Sequence, residues 1–421
     1  MTWLSKAKTL SITATVPHSP PAIGVGVSPP GIAPIGFSPL ALYGAAARCS
    51  HLHVISPSAV TAESLMMQAL IETHVDDINA DFAILASADN FKDFVKGYFA
   101  GTVAAGIAYL ALVADGYVWS DHFENIKGGN PGVATTPDFV FANSSMVALV
   151  ESKGTRSDTL GGFDTTVRDG YDRQVEPHLG WTVGGSLATY GMSVGSWMTS
   201  TKKAELRIHH TDVVAVSGGA GPGGTGAATG TSAPGGDAAS LAAIQQHNYA
   251  TAFTLCHSVE LGQQVRSGEL PASIEFERFR WRGKRWLSSA SSLAAHGVDG
   301  SPARKALLAG RARAAGFAIE ETVALNVLLS IAARRGGEPI TFGFGRSLQV
   351  DALVEEIERG EDAPGVIFPD GLAVISEEAI NGETASFSLT ELDNFWSRLQ
   401  QETEIESDGP AETNRFLQRE N

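Results

Sequence analysis

Hydrophobic and polar positions follow different periods along this chain, and each change of period marks an element. Apolar residues recur at helical spacing from Thr61 to about Thr73, and a longer helix is expected from Asn90, read as its N-cap, to about Ala114. Three short strands follow, Tyr117 to Ile126, Asp138 to Ala142 and Met146 to Lys153, the last two joined by a tight turn at Asn143, Ser144 and Ser145. Asp164 is then placed to cap a helix in which Val167, Tyr171 and Gln174 share one face, with Val175 and Leu179 extending the apolar stripe. Glu205 to Val213 reads as a returning strand. The order is helix, three strands, helix, strand.

Further along, Leu241 to Val265 and Phe317 to Arg334 read as helices and Ile274 to Trp286 alternates like a strand. Gly365 to Glu377 suggests a hairpin turning at Pro369, Asp370 and Gly371. Punctuation by Pro, Gly and polar runs divides the chain into an extended Pro/Gly-rich segment (1–60), a core (61–216), a flexible Gly-rich loop (217–240), an α+β C-terminal region (241–400) and a disordered acidic tail (401–421). Within the first segment, 16–40 is expected to lie as extended chain over a surface. The Gly-rich loop holds neither GxxxxGK[ST] nor a strand-to-helix GxGxxG, so no phosphate-binding loop is read there.

Composition narrows the class. At 43% hydrophobic and 18% charged, the chain has enough apolar residues for one large core or two ordinary ones. The uncharged run 97–114 reaches the lower limit for a membrane span, but it is rich in Gly and Ala, contains Tyr98, Thr102 and Tyr109, and has no strong basic cluster at either end. A buried helix and no membrane are expected. Cys49 and Cys256 lie far apart and form no CxxC, which gives neither a disulfide framework nor a structural zinc site. The N-terminus lacks the apolar core of a signal peptide, so a cytoplasmic protein is expected. A formal net charge of −16 opposes a long nonspecific grip on phosphate backbones. The best basic strip is 276–286, where Arg278, Arg280 and Arg282 alternate with Phe279 and Trp281 and are followed by Lys284 and Arg285, a candidate nucleic-acid-binding surface.

Candidate chemistry concentrates on the hairpin. Alternation puts Glu151 and Lys153 on one face of their strand and Ser152 on the other, and Asp138 opens the neighbouring strand where its carboxylate comes beside Glu151. Two carboxylates and an ammonium then converge, as phosphodiester hydrolysis with a hard divalent cation requires.

These residues, Pro137-Asp138 followed after twelve residues by Glu151-Ser152-Lys153, resemble the PD-(D/E)XK signature of restriction-type nucleases, and the flanking element order agrees. The resemblance covers about a third of the chain. It implies that Asp138 and Glu151 ligate Mg²⁺ or Mn²⁺, that the main-chain carbonyl of Ser152 completes the site, and that Lys153 orients or helps deprotonate the attacking water. Gln174 matches a helix position where related nucleases place a polar residue. The family often adds an acidic ligand from its first helix, but no Glu lies between Glu72 and Glu124, which leaves Asp93, Asp121 and Glu124 as substitutes.

The expected protein is therefore α/β: a restriction endonuclease-like core with an additional α+β C-terminal region that recognises substrate or partner. It is read as a nuclease cutting DNA, less readily RNA, in a prokaryotic defence or restriction setting, and working as a homo-oligomer or within a multi-protein complex. Two other readings are open. One is a serine hydrolase on Ser193 in Gly191-Met192-Ser193-Val194-Gly195, with Asp212 and His257 as partners; the other is an inactive nuclease-like scaffold. His209 and His210, adjacent on a strand, face opposite sides, and one of them could approach the cluster.

Overall fold

The computed structural model describes residues 3, 6–22, 29–50, 57–213, 241–256, 258–271, 273–288, 315–334, 365–376 and 383–388. The Gly-rich loop, the acidic tail and His257 lie outside the described residues.

Helix α3 (Asp93–Ala114) is the axis on which the first half is built. It is long and apolar enough to cross a membrane by length and composition, yet most of it is packed inside the protein. Gly106 lets α1 (Pro39–Ser50) approach closely, since a Cβ there would sit 2.9 Å from the Ala46 nitrogen. Against another side of α3 lies a seven-stranded mixed sheet. In chain order its strands are β1 (Lys8–Ala22), β2 (Ile35–Phe37), β3 (Trp119–His122), β4 (Phe139–Ala142), β5 (Val147–Thr155), β8 (Tyr190–Trp197) and β9 (Glu205–Val213); in space they run β2-β1-β9-β8-β5-β4-β3. The meander β3-β4-β5 is antiparallel, helix α4 (Leu160–Gly170) crosses over, and β8 returns parallel to β5. A tiny hairpin, β6 (Thr182–Val183) with β7 (Ser186–Leu187), stands between the crossover and β8. Helix α2 (Pro57–His74) packs beside α1 and α3.

Several expectations need correction. The strand that returns beside β5 is β8, which the sequence pattern missed; Glu205–Val213 is the next one over. YGMSVGSW carries two glycines where β-branched residues are usual, because Gly191 and Gly195 lie under Val175 and under Val167 with Phe163, leaving no room for a side chain. The Pro-rich segment expected to lie over a surface instead contributes β1, parallel to β9. β2 covers only Lys8 to Leu10 of it, so Pro17 and Pro20 fall where one side of β1 needs no ladder donor. Helix α3 starts after Lys92, not Asn90, which belongs to a 3₁₀ turn. Helix α4 is capped by Thr159, whose hydroxyl accepts from the Gly162 amide, and Asp164 lies inside it.

The C-terminal region forms a second, six-stranded antiparallel sheet, ordered β13 (Gly365–Ile367), β14 (Leu372–Ser376), β12 (Ala315–Glu320), β11 (Lys284–Ser288), β10 (Ser273–Trp281) and β15 (Glu383–Ser388). Here the expected single strand 274–286 is a hairpin turned at Arg282 and Gly283, both at positive φ. The expected helix 317–334 is β12 followed by α7 (Glu321–Arg334), and Leu241–Val265 is two helices, α5 (Ala242–Leu255) and α6 (Val259–Ser267). The hairpin at Pro369-Asp370-Gly371 forms as expected, with Gly371 at φ 85°. One continuous core joins the two sheets through α1 and α5. At its centre Arg48 of α1 is fully enclosed and pairs with Asp370 of the hairpin turn, while Asn248 of α5 donates to the same carboxylate at 2.9 Å.

Candidate active site

Asp138 and Glu151 meet because β4 and β5 pair Phe139 with Val150, which brings the preceding residue of one strand against the following residue of the other. The backbone then locks them. The Asp138 amide donates to Glu151 Oε2 at 3.0 Å, and the Ser152 amide donates to Asp138 Oδ2 at 2.9 Å. Lys153, two residues along the same face, places its ammonium on Glu151 Oε1 and also donates to Gln174 Oε1 at 3.0 Å. Gln174 in turn donates to the Thr136 carbonyl at 3.0 Å. Glu151, Lys153 and Gln174 are therefore linked side chain to side chain, Asp138 is tied to them through the two backbone amides, and Ser152 points to the other face of the strand.

The helix above them is shaped to fit. Gly170 ends α4 directly over the cluster, where an added Cβ would lie 2.9 Å from Ser193 Oγ, 3.1 Å from Lys153 Cε and 3.2 Å from Glu151 Cγ. The chain continues as a π-helical turn, Tyr171–Val175, whose extra residue per turn delivers Gln174 to Lys153. Gln174 was expected from regular helical spacing; the wider turn is what brings it in.

Glu151 is 1% exposed, while the Lys153 side chain keeps 26% of its surface, so the group opens to solvent at the ammonium. Burial pushes the Glu151 carboxyl up to about 7, with the neighbouring Asp138 charge adding to the rise and Lys153 opposing it. Asp138 is also raised, by burial first and with Glu124 contributing, against the Ser152 amide and Lys153.

The three substitute acids separate clearly. Asp121 is buried and committed to His247 at 3.1 Å and Arg266 at 3.5 Å. Asp93 sits in the exposed first turn of α3, a helix that packs on the opposite face of β5, against Gly154. Glu124 is exposed in the turn after β3, where the Phe123 amide donates to the Asp138 carbonyl at 3.0 Å. It is the one of the three beside the pair. Among the described residues, no group of three or more His, Cys, Asp or Glu side chains is arranged to hold a metal ion.

Ser193 lies in the middle of β8, fully buried under Gly170, not on a strand-to-helix turn. The geometry of a nucleophile elbow is absent there. His209 and His210 do face opposite sides. His209 shares a rung with Ser193, whose own rung partner on the other side is Glu151, so the three cross the sheet in a row. Its Nδ1 hydrogen-bonds His18 Nε2 at 2.8 Å, with Asp164 3.5 Å from the ring and Asp172 3.6 Å from His18. His210 bonds the Thr211 carbonyl at 2.8 Å. Burial lowers both His209 and His210.

The basic strip is largely engaged. Arg278 and Arg285 both pair with Glu321, Lys284 pairs with Glu320 at 3.1 Å, and Arg282 covers the Trp281 ring at 4.3 Å. Among the described residues, Arg280 has no ion pair. Sequence reasoning missed His18, Asp172, His247 and Arg266 altogether, because their partners lie far away in the chain and no local pattern marks them.

The chain matches no family model, no curated protein and no solved structure.

Proposed function

We propose that the protein is a metal-dependent nuclease that hydrolyses phosphodiester bonds, with DNA as the first substrate to test. The observation that carries this reading is the buried Asp138–Glu151 pair, fixed by two backbone amides and touched by a single ammonium. Two carboxylates that burial and mutual repulsion make reluctant to ionise are stabilised by a shared cation, and their hard oxygens suit Mg²⁺ or Mn²⁺. Helix α3, strands β3 to β5, helix α4 and the parallel return of β8 also follow the element order of the PD-(D/E)XK resemblance, which supports the reading further.

In this reading Asp138, Glu151 and the Ser152 carbonyl would hold the ion, with Glu124 beside them. When bound, such an ion supplies a nucleophilic water at neutral pH and offsets phosphate charge. Lys153 would orient that water for attack, and Gln174 holds the ammonium in place by anchoring it to Thr136. Because the chain is acidic and its basic strip is engaged by Glu320 and Glu321, substrate capture is assigned to an oligomer or a partner complex in the cytoplasm, in keeping with a defence role.

A second reading has one observation in its favour. The direct contact of Lys153 with Glu151 is also what a structural ion pair in an inactive scaffold would show. The deciding experiment is cleavage of supercoiled plasmid, single-stranded DNA and RNA with Mg²⁺ or Mn²⁺, comparing wild type, Glu151→Ala and Lys153→Ala, with EDTA controls. Metal-dependent cutting lost in both variants is the expected result. No cutting of any substrate, together with no metal binding by calorimetry, establishes the scaffold.

A further inference from the structure

A second polar constellation lies on the face of the sheet that carries Glu151. Phe141 of β4 meets Tyr109 of α3, with ring centroids 5.7 Å apart, so the neighbouring Val140 points to the opposite side. Asp121 of β3 shares a rung with Val140 and points the same way, two residues along from the level of Asp138. The turn that follows Asp121 returns to the site, since the Phe123 amide bonds the Asp138 carbonyl.

Asp121 is 1% exposed and organises three groups. His247 Nδ1 of α5 lies 3.1 Å from Oδ2, Arg266 Nη1 of α6 lies 3.5 Å from the same oxygen, and Asn125 Nδ2 donates to Oδ1 at 3.2 Å. Arg266 Nη2 donates to Thr251 at 3.3 Å. Burial pushes the Asp121 carboxyl up, but the His247 hydrogen bond and the Arg266 charge outweigh it and hold it below the usual range. An ionised, buried carboxylate fixes the imidazole through Nδ1 and aims Nε2 away. The His247 and Arg266 side chains remain 19% and 26% exposed, and among the described residues His247 has no second partner.

We propose that His247 and Arg266, aligned by Asp121, form a phosphate-binding subsite on the sheet face that carries the Asp138–Glu151 pair. The ligand class is a backbone phosphate of the strand being cut, held by the outward imidazole nitrogen and the free guanidinium N–H groups. This inference rests on the nuclease reading for the identity of the ligand and on the Asp121 geometry for its place. It adds two cationic side chains to the single Lys153 ammonium of the carboxylate pair.

The test is binding of a fluorescein-labelled DNA strand to the full-length protein by anisotropy, in EDTA so that no cleavage occurs, over a series of salt concentrations. Wild type is compared with His247→Ala, Arg266→Ala and Arg266→Lys. Loss of one phosphate contact is expected to weaken binding about three- to tenfold and to reduce the salt slope by about 0.7 on a single strand, with Arg266→Lys retaining most of the slope. His247→Ala and Arg266→Ala proteins that bind with wild-type affinity and slope overturn the subsite, and lowered melting temperatures with unchanged binding overturn it equally, as the mark of a purely structural ion pair. Absence of DNA binding by wild type also overturns it. Binding that depends on His247, in a protein that neither cuts any substrate nor binds metal, supports the subsite and sinks only the nuclease reading.

Discussion

The main-chain amide of Asp138 donates to the side-chain carboxylate of Glu151 at 3.0 Å, so the backbone of one motif residue positions the acid of the other. The spacing of the two carboxylates is thereby set by sheet register and not by free rotation of side chains. Asp138 and Glu151 are held close even though their charges repel, and that tension has measurable consequences.

The first concerns pH. The Glu151 carboxyl lies at about 7 in the folded chain against an ordinary 4.5. A folded value raised above the unfolded one adds stability that is fully present below about 4.5 and is lost as pH rises through about 7. Glu151→Gln, which keeps the shape without the charge, is expected to melt higher than wild type above pH 7 and close to it below pH 4.5. Thermal melts across that window check this. Mg²⁺ is expected to raise the wild-type melting temperature on the alkaline side and to leave that of the variant unchanged.

Gly170 tests how tightly the helix closes over the group. Alanine favours helix interiors by about 1 kcal/mol over glycine, but a Cβ here meets Ser193, Lys153 and Glu151 at 2.9 to 3.2 Å. Overpacking of this kind costs about 1–3 kcal/mol. Gly170→Ala is expected to be neutral to destabilising in urea unfolding, and to lose cleavage activity out of proportion to its stability. A variant that is stabilised and fully active would show that α4 yields freely.

Gln174 Oε1 accepts a second hydrogen bond from the Lys153 ammonium, beside the one to Glu151. Gln174→Leu keeps the volume and removes both hydrogen bonds, so Lys153 is held by Glu151 alone. Loss of such a supporting contact costs roughly 10- to 100-fold in activity. The expected drop is in kcat, with substrate affinity retained; equal loss in KM would instead place Gln174 on the substrate.

The joint between the two sheets is also testable. Arg48 and Asp370 are both enclosed, and removing one partner of such a pair costs about 3–5 kcal/mol because the other charge is left unpaired. Asp370→Ala is expected to lose that much in denaturant unfolding. The double variant Arg48→Met, Asp370→Ala is expected to recover part of it, and strict additivity of the two losses would show that the groups do not act as a pair.

Asp138, Glu151 and Lys153 could be read from sequence because a strand's two-residue period fixes which side chains share a face, and the turn at Asn143 to Ser145 fixes which strands are neighbours. The same local logic found α3 and the hairpin at Asp370. It could not find β8, where glycines are required by the helix packed above, or β1, whose prolines fall where, among the described residues, one side has no strand neighbour. Gln174 was placed by regular helical spacing, but the residues there form a π-helical turn, and that turn brings its side chain to Lys153.

What the sequence by itself determined, then, was the local periodicity of this protein and the hairpin pair of carboxylates that follows from it. Tertiary structure alone decided that β8 lies beside β5, that Glu124 and not Asp93 or Asp121 stands next to Asp138, that the basic strip faces Glu320 and Glu321, and that Asp121 gathers His247 and Arg266. Each of these depends on a contact between residues distant in the chain. Such contacts are selected by completing hydrogen-bond ladders and filling the core around buried charge, and neither condition leaves a local pattern to read.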